Sequence, residues 1–127
     1  MKKTLTLLFG LCLAALGHAA DPELVIAGHG ASLEQALAAP HAPSYRLLVL
    51  RKELMRVRAS RAEEEVRQLL ERARAGGAVV FVCKKDLRAE RLQPADLLPG
   101  IVTVDASDVW VNGAPTNADL KLKSMCS

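Results

Sequence analysis

The fold of this chain is decided by residues 76–100, which read Gly-Gly-Ala-Val-Val-Phe-Val-Cys-Lys-Lys-Asp-Leu-Arg-Ala-Glu-Arg-Leu-Gln-Pro-Ala-Asp-Leu-Leu-Pro-Gly. The two opening glycines are typical of a helix end. Residues 78–82 are a short apolar run rich in β-branched side chains, which predicts a buried strand. Cys83 stands where this strand should end. A short helical segment should follow and stop at Pro94.

Upstream of this stretch, the pattern predicts two more strands. Residues 23–28 form an apolar run that ends in Gly-His-Gly, which indicates a strand followed by a turn. Ser32 should cap a helix over residues 33–39. Residues 45–58 begin with a strand-like composition and continue with apolar residues at helical spacing, so we expect a strand that runs into a helix.

A longer helix should lead into the central stretch. Ser60 is predicted to cap it, with Glu63 three residues on as in a capping box. Apolar side chains at helical spacing predict its buried stripe. The members of the stripe are Val66, Leu69, Leu70 and Ala73.

Downstream, the elements become shorter. Residues 101–104 predict a strand, and residues 108–111 predict one more, with Asn112-Gly113 as a turn. The last residues, 114–127, are expected to be an edge strand or a loosely ordered tail. We therefore expect one domain over residues 20–113, followed by this tail.

Alternation of strands and helices predicts an α/β fold, with a small, mostly parallel sheet flanked by helices. Sites in such sheets lie at the carboxyl ends of the strands. The turn at residues 28–30 and Cys83 both follow predicted strands. They should therefore face the same edge of the sheet if their strands are neighbours.

The first residues have the features of a signal peptide. Lys2 and Lys3 precede an apolar run over residues 5–15, and small residues follow at Gly17 and Ala19. The apolar run is too short to span a bilayer comfortably. We expect cleavage after Ala19, a periplasmic location, and no membrane anchor in the mature protein.

Charge and composition exclude some classes of partner. Without Lys2 and Lys3, the 17 basic residues fall to 15, against 14 acidic ones, so nothing favours nucleic acid. Aromatic residues make up 3% of the chain, too few for stacking platforms. Gly28-His29-Gly30 lacks the third glycine of a dinucleotide fingerprint. No ligand spacing indicates a metal, and we expect no cofactor.

The cysteines carry the chemistry that the sequence suggests. Cleavage removes Cys12 and leaves Cys83 and Cys126 in an oxidising compartment. Three alternatives stay open for Cys83: a reactive thiol, a disulfide with Cys126, or an inert core residue. A disulfide would close a loop of about 44 residues and contribute about 4 kcal/mol. Cys126 could also be a resolving thiol, which would make the pair a redox switch.

A reactive Cys83 would need support from its neighbours, because the thiolate is the nucleophile. Lys84 and Lys85 would favour the anion by their positive charge. His29 lies at the end of another predicted strand, where it could polarise a substrate. These three residues are the candidate supporting groups.

The central stretch resembles the DsrE/DsrF-like family, small sulfur-handling α/β proteins, and in particular its exported members. The upstream segment at residues 25–30 is similar to the His-Gly strand end of that family. The matching pieces are Gly76-Gly77, Val80-Phe81-Val82-Cys83, Leu87-Arg88-Ala89 and Asp96-Leu97-Leu98-Pro99-Gly100.

The resemblance implies a three-layer sandwich and a persulfide carrier that passes sulfane sulfur through Cys83 between donor and acceptor proteins. Two features depart from the family. The opening strand–helix unit looks absent, and the last strand is followed by Trp110-Val111-Asn112-Gly113 instead of an amphipathic helix. A reduced member of this kind should form a homo-oligomer to protect its open sheet edge.

The alternative function is a non-catalytic binding or assembly module stapled by a Cys83–Cys126 disulfide.

Overall fold

A parallel β-sheet forms the centre of the part of the chain that this computed structural model describes, residues 22–108 and 116–127. In chain order the elements are β1 (Leu24–Ala27), α1 (Leu33–Ala38), β2 (Arg46–Val49), α2 (Arg51–Leu54), α3 (Glu64–Ala75), β3 (Val79–Cys83), α4 (Lys84–Ala89), β4 (Val102–Val104) and α5 (Asn117–Met125). Short 3-10 turns lie at Met55–Val57, Pro94–Asp96 and Ala106–Asp108. The predicted α/β class is confirmed.

The sheet has the strand order β1-β2-β3-β4, and all three strand pairs are parallel. Strands β2 and β3 are therefore interior, while β1 and β4 form the two edges within the described residues. The turn at residues 28–30 and Cys83 lie at the same carboxyl edge, as expected. Their strands are not neighbours, however, because β2 lies between them.

Alternate side chains of the strands build two faces. On the first face, Leu47, Val49, Val80 and Val82 are fully buried. Apolar side chains from α1, α2, α3 and α4 pack against them in one cluster. Placing the connecting helices on one face of a sheet with sequential strand order is the arrangement that right-handed crossovers produce.

The second face carries a smaller cluster, and its strand residues include Leu24, Leu48, Phe81, Cys83 and Val104. Helix α5 packs on this face through Leu122 and Cys126. Among the described residues, α5 is the only helix that covers it. The sheet thus has a thick layer of helices on one side and a single short helix on the other.

Two helix ends follow from local side-chain and backbone chemistry. The Oγ of Ser32 accepts from the backbone N–H of Gln35, and the Oε1 of Gln35 accepts from the backbone N–H of Ser32. These two bonds form a capping box, and they add Gln35 to the cap that the sequence predicted at Ser32. Helix α3 ends at Ala75 and is followed by Gly77, whose φ of +96° suits glycine. The N–H of Gly77 donates to the carbonyl of Arg74, and the N–H of Ala78 donates to the carbonyl of Ala73.

The predicted start of α3 at Ser60 is wrong. The helix begins at Glu64, with Glu63 at its N-cap and no side-chain cap bond. The preceding residues are held in another conformation, because the backbone N–H of Ala59 donates to the carbonyl of Asp96. Arg67 also reaches back and donates to the carbonyl of Ala59. Tertiary contacts therefore override the local capping signal.

The buried stripe of α3 lies where the sequence places it. Val66 and Leu70 are buried, and Leu69 and Ala73 are partly buried against the same cluster. The strand-to-helix prediction for residues 45–58 is also confirmed, since β2 is followed by α2 and a 3-10 turn.

The prediction of an edge strand or loose tail at residues 114–127 is wrong, because Asn117–Met125 is a helix. Thr116 caps it through the N–H of Asp119, and the carboxylate of Asp119 accepts from the N–H of Thr116. Asp108 belongs to a 3-10 turn rather than to a strand. The rest of the strand and turn predicted at residues 108–113 lies outside the described residues, as does the predicted signal peptide.

Candidate functional site

Cys83 lies at the centre of the candidate site. It is the last residue of the interior strand β3 and the N-cap of α4. Its side chain points to the second face of the sheet, where it is 0% exposed. The sulfur is bonded to that of Cys126, with 5.2 Å between the two Cα atoms. The position at the carboxyl edge agrees with the sequence, whereas the accessible thiolate that a carrier needs is not present in this state.

The partner sulfur belongs to the C-terminal end of α5. Cys126 is 3% exposed, and its backbone N–H donates to the carbonyl of Leu122, which continues the helix. Leu48 and Val104 lie in the same cluster as the two cysteines. The disulfide therefore connects the interior of the sheet to its single covering helix across 43 residues of sequence.

The two lysines next to Cys83 have other partners. Lys84 Nζ lies 2.7 Å from Asp108 Oδ2, and this hydrogen bond, together with a backbone one from Asp105, lowers the pKa of Asp108. Lys85 Nζ donates to the carbonyl oxygen of Ser127 at 2.9 Å. Lys84 therefore binds the 3-10 turn that contains Asp108, and Lys85 binds the residue that follows Cys126. The structure gives no contact between either ammonium group and the sulfur of Cys83.

His29 is exposed in the turn after β1. The glycines on both sides have positive φ, +105° for Gly28 and +83° for Gly30. An open cleft of about 330 Å³ lies beside this turn, and Glu53 contributes to its wall. The carboxylate of Glu53 accepts from the backbone N–H of Leu33 at 2.7 Å, so it stabilises the start of α1. His29 and Cys83 share an edge of the sheet but are not brought together.

A buried carboxyl group, Asp86, is a feature that the sequence analysis missed. Asp86 is 7% exposed, and burial raises its pKa, while Lys85 and Arg51 act in the opposite direction. Its carboxylate accepts from the backbone N–H of Arg51, which connects α4 to the first turn of α2. The guanidinium of Arg51 donates to Glu90 at 2.7 Å. The residues of this cluster bond to one another, and their bonds connect α2 to α4.

An ion pair that the sequence analysis also missed holds the N-terminal end of α5. The guanidinium of Arg46, on the second face of β2, donates to the carboxylate of Asp119. Burial raises the pKa of Asp119, but hydrogen bonds from Thr116 and Arg46 outweigh it, and the pKa is lowered overall. The ion pair of Arg46 and Asp119 therefore remains charged at neutral pH and fixes α5 to the amino end of β2.

The described ranges, 22–108 and 116–127, contain no group of three or more His, Cys, Asp or Glu residues placed to hold a metal ion. None of the helices in these ranges is long and apolar enough to cross a membrane.

Fold and site together define a class: a small parallel α/β protein whose C-terminal helix is bonded to an interior strand by a buried disulfide. Comparison with models of known protein families gives no match. Comparison with curated proteins gives none either. Comparison with solved structures is likewise without a match. The DsrE/DsrF-like resemblance stays a prediction from the sequence.

Proposed function

We propose that this protein is a non-catalytic binding or assembly module of the cell envelope, stapled by a disulfide. The observation that carries the proposal is the state of Cys83, which is 0% exposed and bonded to Cys126. A sulfur in that state offers no nucleophile to a substrate. The export that this proposal assumes is inferred from the signal-peptide pattern at residues 1–19, and an oxidising envelope would preserve the bond.

The second face of the sheet supplies a binding surface. Val79 and Val102 are 38% and 42% exposed, which is unusual for apolar strand residues of a parallel sheet. Phe81 lies opposite Val102 in the register, two residues after Val79 on β3, and is partly buried. We call Val79, Phe81 and Val102 the β3–β4 corner. Strand β4 lies at an edge in the described residues and contains neither a charge nor a proline, the usual protections of an edge strand.

A second copy of this chain is the partner that fits this corner best. In a two-fold contact the same patch meets itself, so a patch with like charges would repel its copy. The three side chains of the β3–β4 corner are uncharged. Arg46, the one charged residue that the described strands place on this face, is already paired with Asp119. Two such corners can therefore pack together without burying an unpaired charge.

Replacement of Val102 by aspartate tests this proposal. The variant places a charge in the centre of the expected contact, so we expect dimer dissociation constants to rise at least about tenfold. Leu120→Asp is the matched control, because Leu120 is an apolar residue of α5 with 49% exposure outside the corner. Sedimentation velocity of the oxidised protein over a concentration series measures both. A wild-type monomer at the highest concentrations would contradict the proposal.

A second candidate function is the persulfide carrier that the sequence resemblance implies. Its support is the position of Cys83, at the carboxyl end of an interior parallel strand and directly before a helix. The carrier would act from the reduced form. The Cys83 thiolate would attack the outer sulfur of a donor persulfide, form a new S–S bond, and release the donor as a thiolate.

Intact-mass measurement after exposure of the reduced protein to polysulfide tests the carrier function. A carrier should gain the mass of sulfur atoms in the wild type and in Cys126→Ser, and none in Cys83→Ser. Loss of the adduct on treatment with a thiol reductant should accompany it, because a persulfide is reducible. An adduct that persists in Cys83→Ser would exclude Cys83 as the carrier.

A further inference from the structure

We propose that the Cys83–Cys126 disulfide is a redox-operated latch for helix α5, and that its reduction uncovers the second face of the sheet for a second copy of this chain. The choice of occupant rests on the proposed function. The release of α5 does not, because it follows from how the helix is held.

Different chemistry holds the two ends of α5. The N-terminal end is held by the ion pair of Asp119 with Arg46. The C-terminal end is held by the covalent bond from Cys126 to Cys83 and, one residue further, by the exposed hydrogen bond from Lys85 to Ser127. Met125 also packs against the apolar cluster at this end, and the disulfide is the covalent attachment there.

Helix α5 has little stability of its own. It is nine residues long, and isolated helices shorter than about 12 residues are marginal in water. Its buried apolar side chains are Ala118 at 6% and Leu122 at 2% exposure, Met125 is partly buried, and Leu120 is 49% exposed. A helix this short depends on its anchors, so breaking the bond at Cys126 should let the C-terminal half open.

The surface beneath α5 is apolar. Leu48 and Val104 are 0% and 7% exposed with α5 in place, and they belong to the same cluster as the disulfide. Leu48 lies opposite Phe81 of the β3–β4 corner, and Val104 lies opposite Cys83, two residues after Val102 on β4. Opening of α5 would join these side chains to Val79 and Val102 in one uncharged strip across three strands. A larger apolar contact area favours association of two copies.

The switching step is thiol–disulfide exchange with a dithiol reductant. One reductant thiolate attacks the sulfur of Cys126, the residue with 3% exposure against 0% for Cys83, and Cys83 leaves as a thiolate. The second reductant thiol then attacks the mixed disulfide and releases Cys126. Two electrons pass from the dithiol to the protein, both cysteine sulfurs become thiols after protonation, and the reductant becomes a disulfide.

Amide hydrogen exchange of oxidised and dithiol-reduced protein tests the latch. The probes are the amides of Leu120 and Cys126, which donate to the carbonyls of Thr116 and Leu122. In the reduced protein we expect the Cys126 amide to exchange at least about tenfold faster than the amides of β2 and β3, because α5 can then open without global unfolding. The strand amides accelerate as well, since loss of the bond lowers the global stability. The double variant Cys83→Ser/Cys126→Ser should behave as the reduced protein does, with or without reductant.

Two results of the exchange experiment would overturn the latch. Unchanged exchange in α5 after complete reduction would show that packing alone holds the helix. Equal exchange rates in α5 and in the interior strands of the reduced protein would show that the helix opens only when the whole fold does. Asp119→Asn serves as a control in the oxidised protein, where it should accelerate exchange at Leu120 more than at Cys126.

Sedimentation separates this inference from the proposed function. If the latch and the choice of partner are both right, reduction should strengthen association at least about tenfold, since more apolar surface becomes available. Accelerated exchange in α5 without any association of the oxidised or reduced protein would support the latch and contradict the second copy as its partner.

Discussion

Replacement of Cys126 by serine is expected to lower the free energy of unfolding by about 4 kcal/mol, the chain-entropy value for a bond between cysteines 43 residues apart. The thermal midpoint should fall by 15 °C or more, roughly, for a domain of this size. The bond joins the interior strand β3 to the terminal helix, so its loss frees the denatured chain and weakens the helix that covers the second face.

The internal control for this prediction is the reductant itself. Dithiol reduction should lower the stability of the wild type in urea unfolding and leave Cys126→Ser unchanged, because the variant has no bond between these positions to lose. A variant as stable as the oxidised wild type would mean that the bond does not constrain the chain.

Shortening of Leu122 to alanine should cost about 3 kcal/mol, because the side chain is 2% exposed and its removal leaves a cavity between α5 and the sheet. The cavity would lie in the cluster that contains Leu48 and Val104. The substitution also tests whether residues 117–125 form a packed helix. A loosely ordered segment would tolerate it without a loss of stability.

Leu120→Ala is the matched control for this prediction. Leu120 lies on the same helix at 49% exposure, so its shortening should change the free energy of unfolding by less than about 0.5 kcal/mol. Chemical denaturation of both variants in the oxidised state gives the comparison. Equal effects at Leu122 and Leu120 would contradict the packing of α5 on the second face.

The strand positions could be predicted because buried parallel strands are short apolar runs bounded by turn residues. Residues 78–82 are such a run, and the strand is observed at Val79–Cys83. The end of α3 before Gly77 was equally predictable, since a left-handed residue after a helix favours glycine. Local chemistry decides these features, and local chemistry is what a single sequence displays.

The errors came from contacts between distant residues. Ser60 has the composition of a cap, but the hydrogen bond from Ala59 to Asp96 holds the preceding segment away from the helix. Thr116 and Asp119 form a capping box for α5, a signal that the tail prediction did not use. Asp119 also pairs with Arg46, which is 73 residues away in the sequence. The pairing of two cysteines cannot be deduced from their spacing. It had to remain one of several alternatives.

The state of the two cysteines in the native protein tests the central claim most directly. Peptide mapping of protein alkylated under denaturing, non-reducing conditions distinguishes linked from free thiols. We expect one linked peptide pair that contains Cys83 and Cys126, with neither residue alkylated before reduction. Alkylation of both residues without reductant would contradict the account, because Cys83 would then be a free thiol at the carboxyl edge of the sheet.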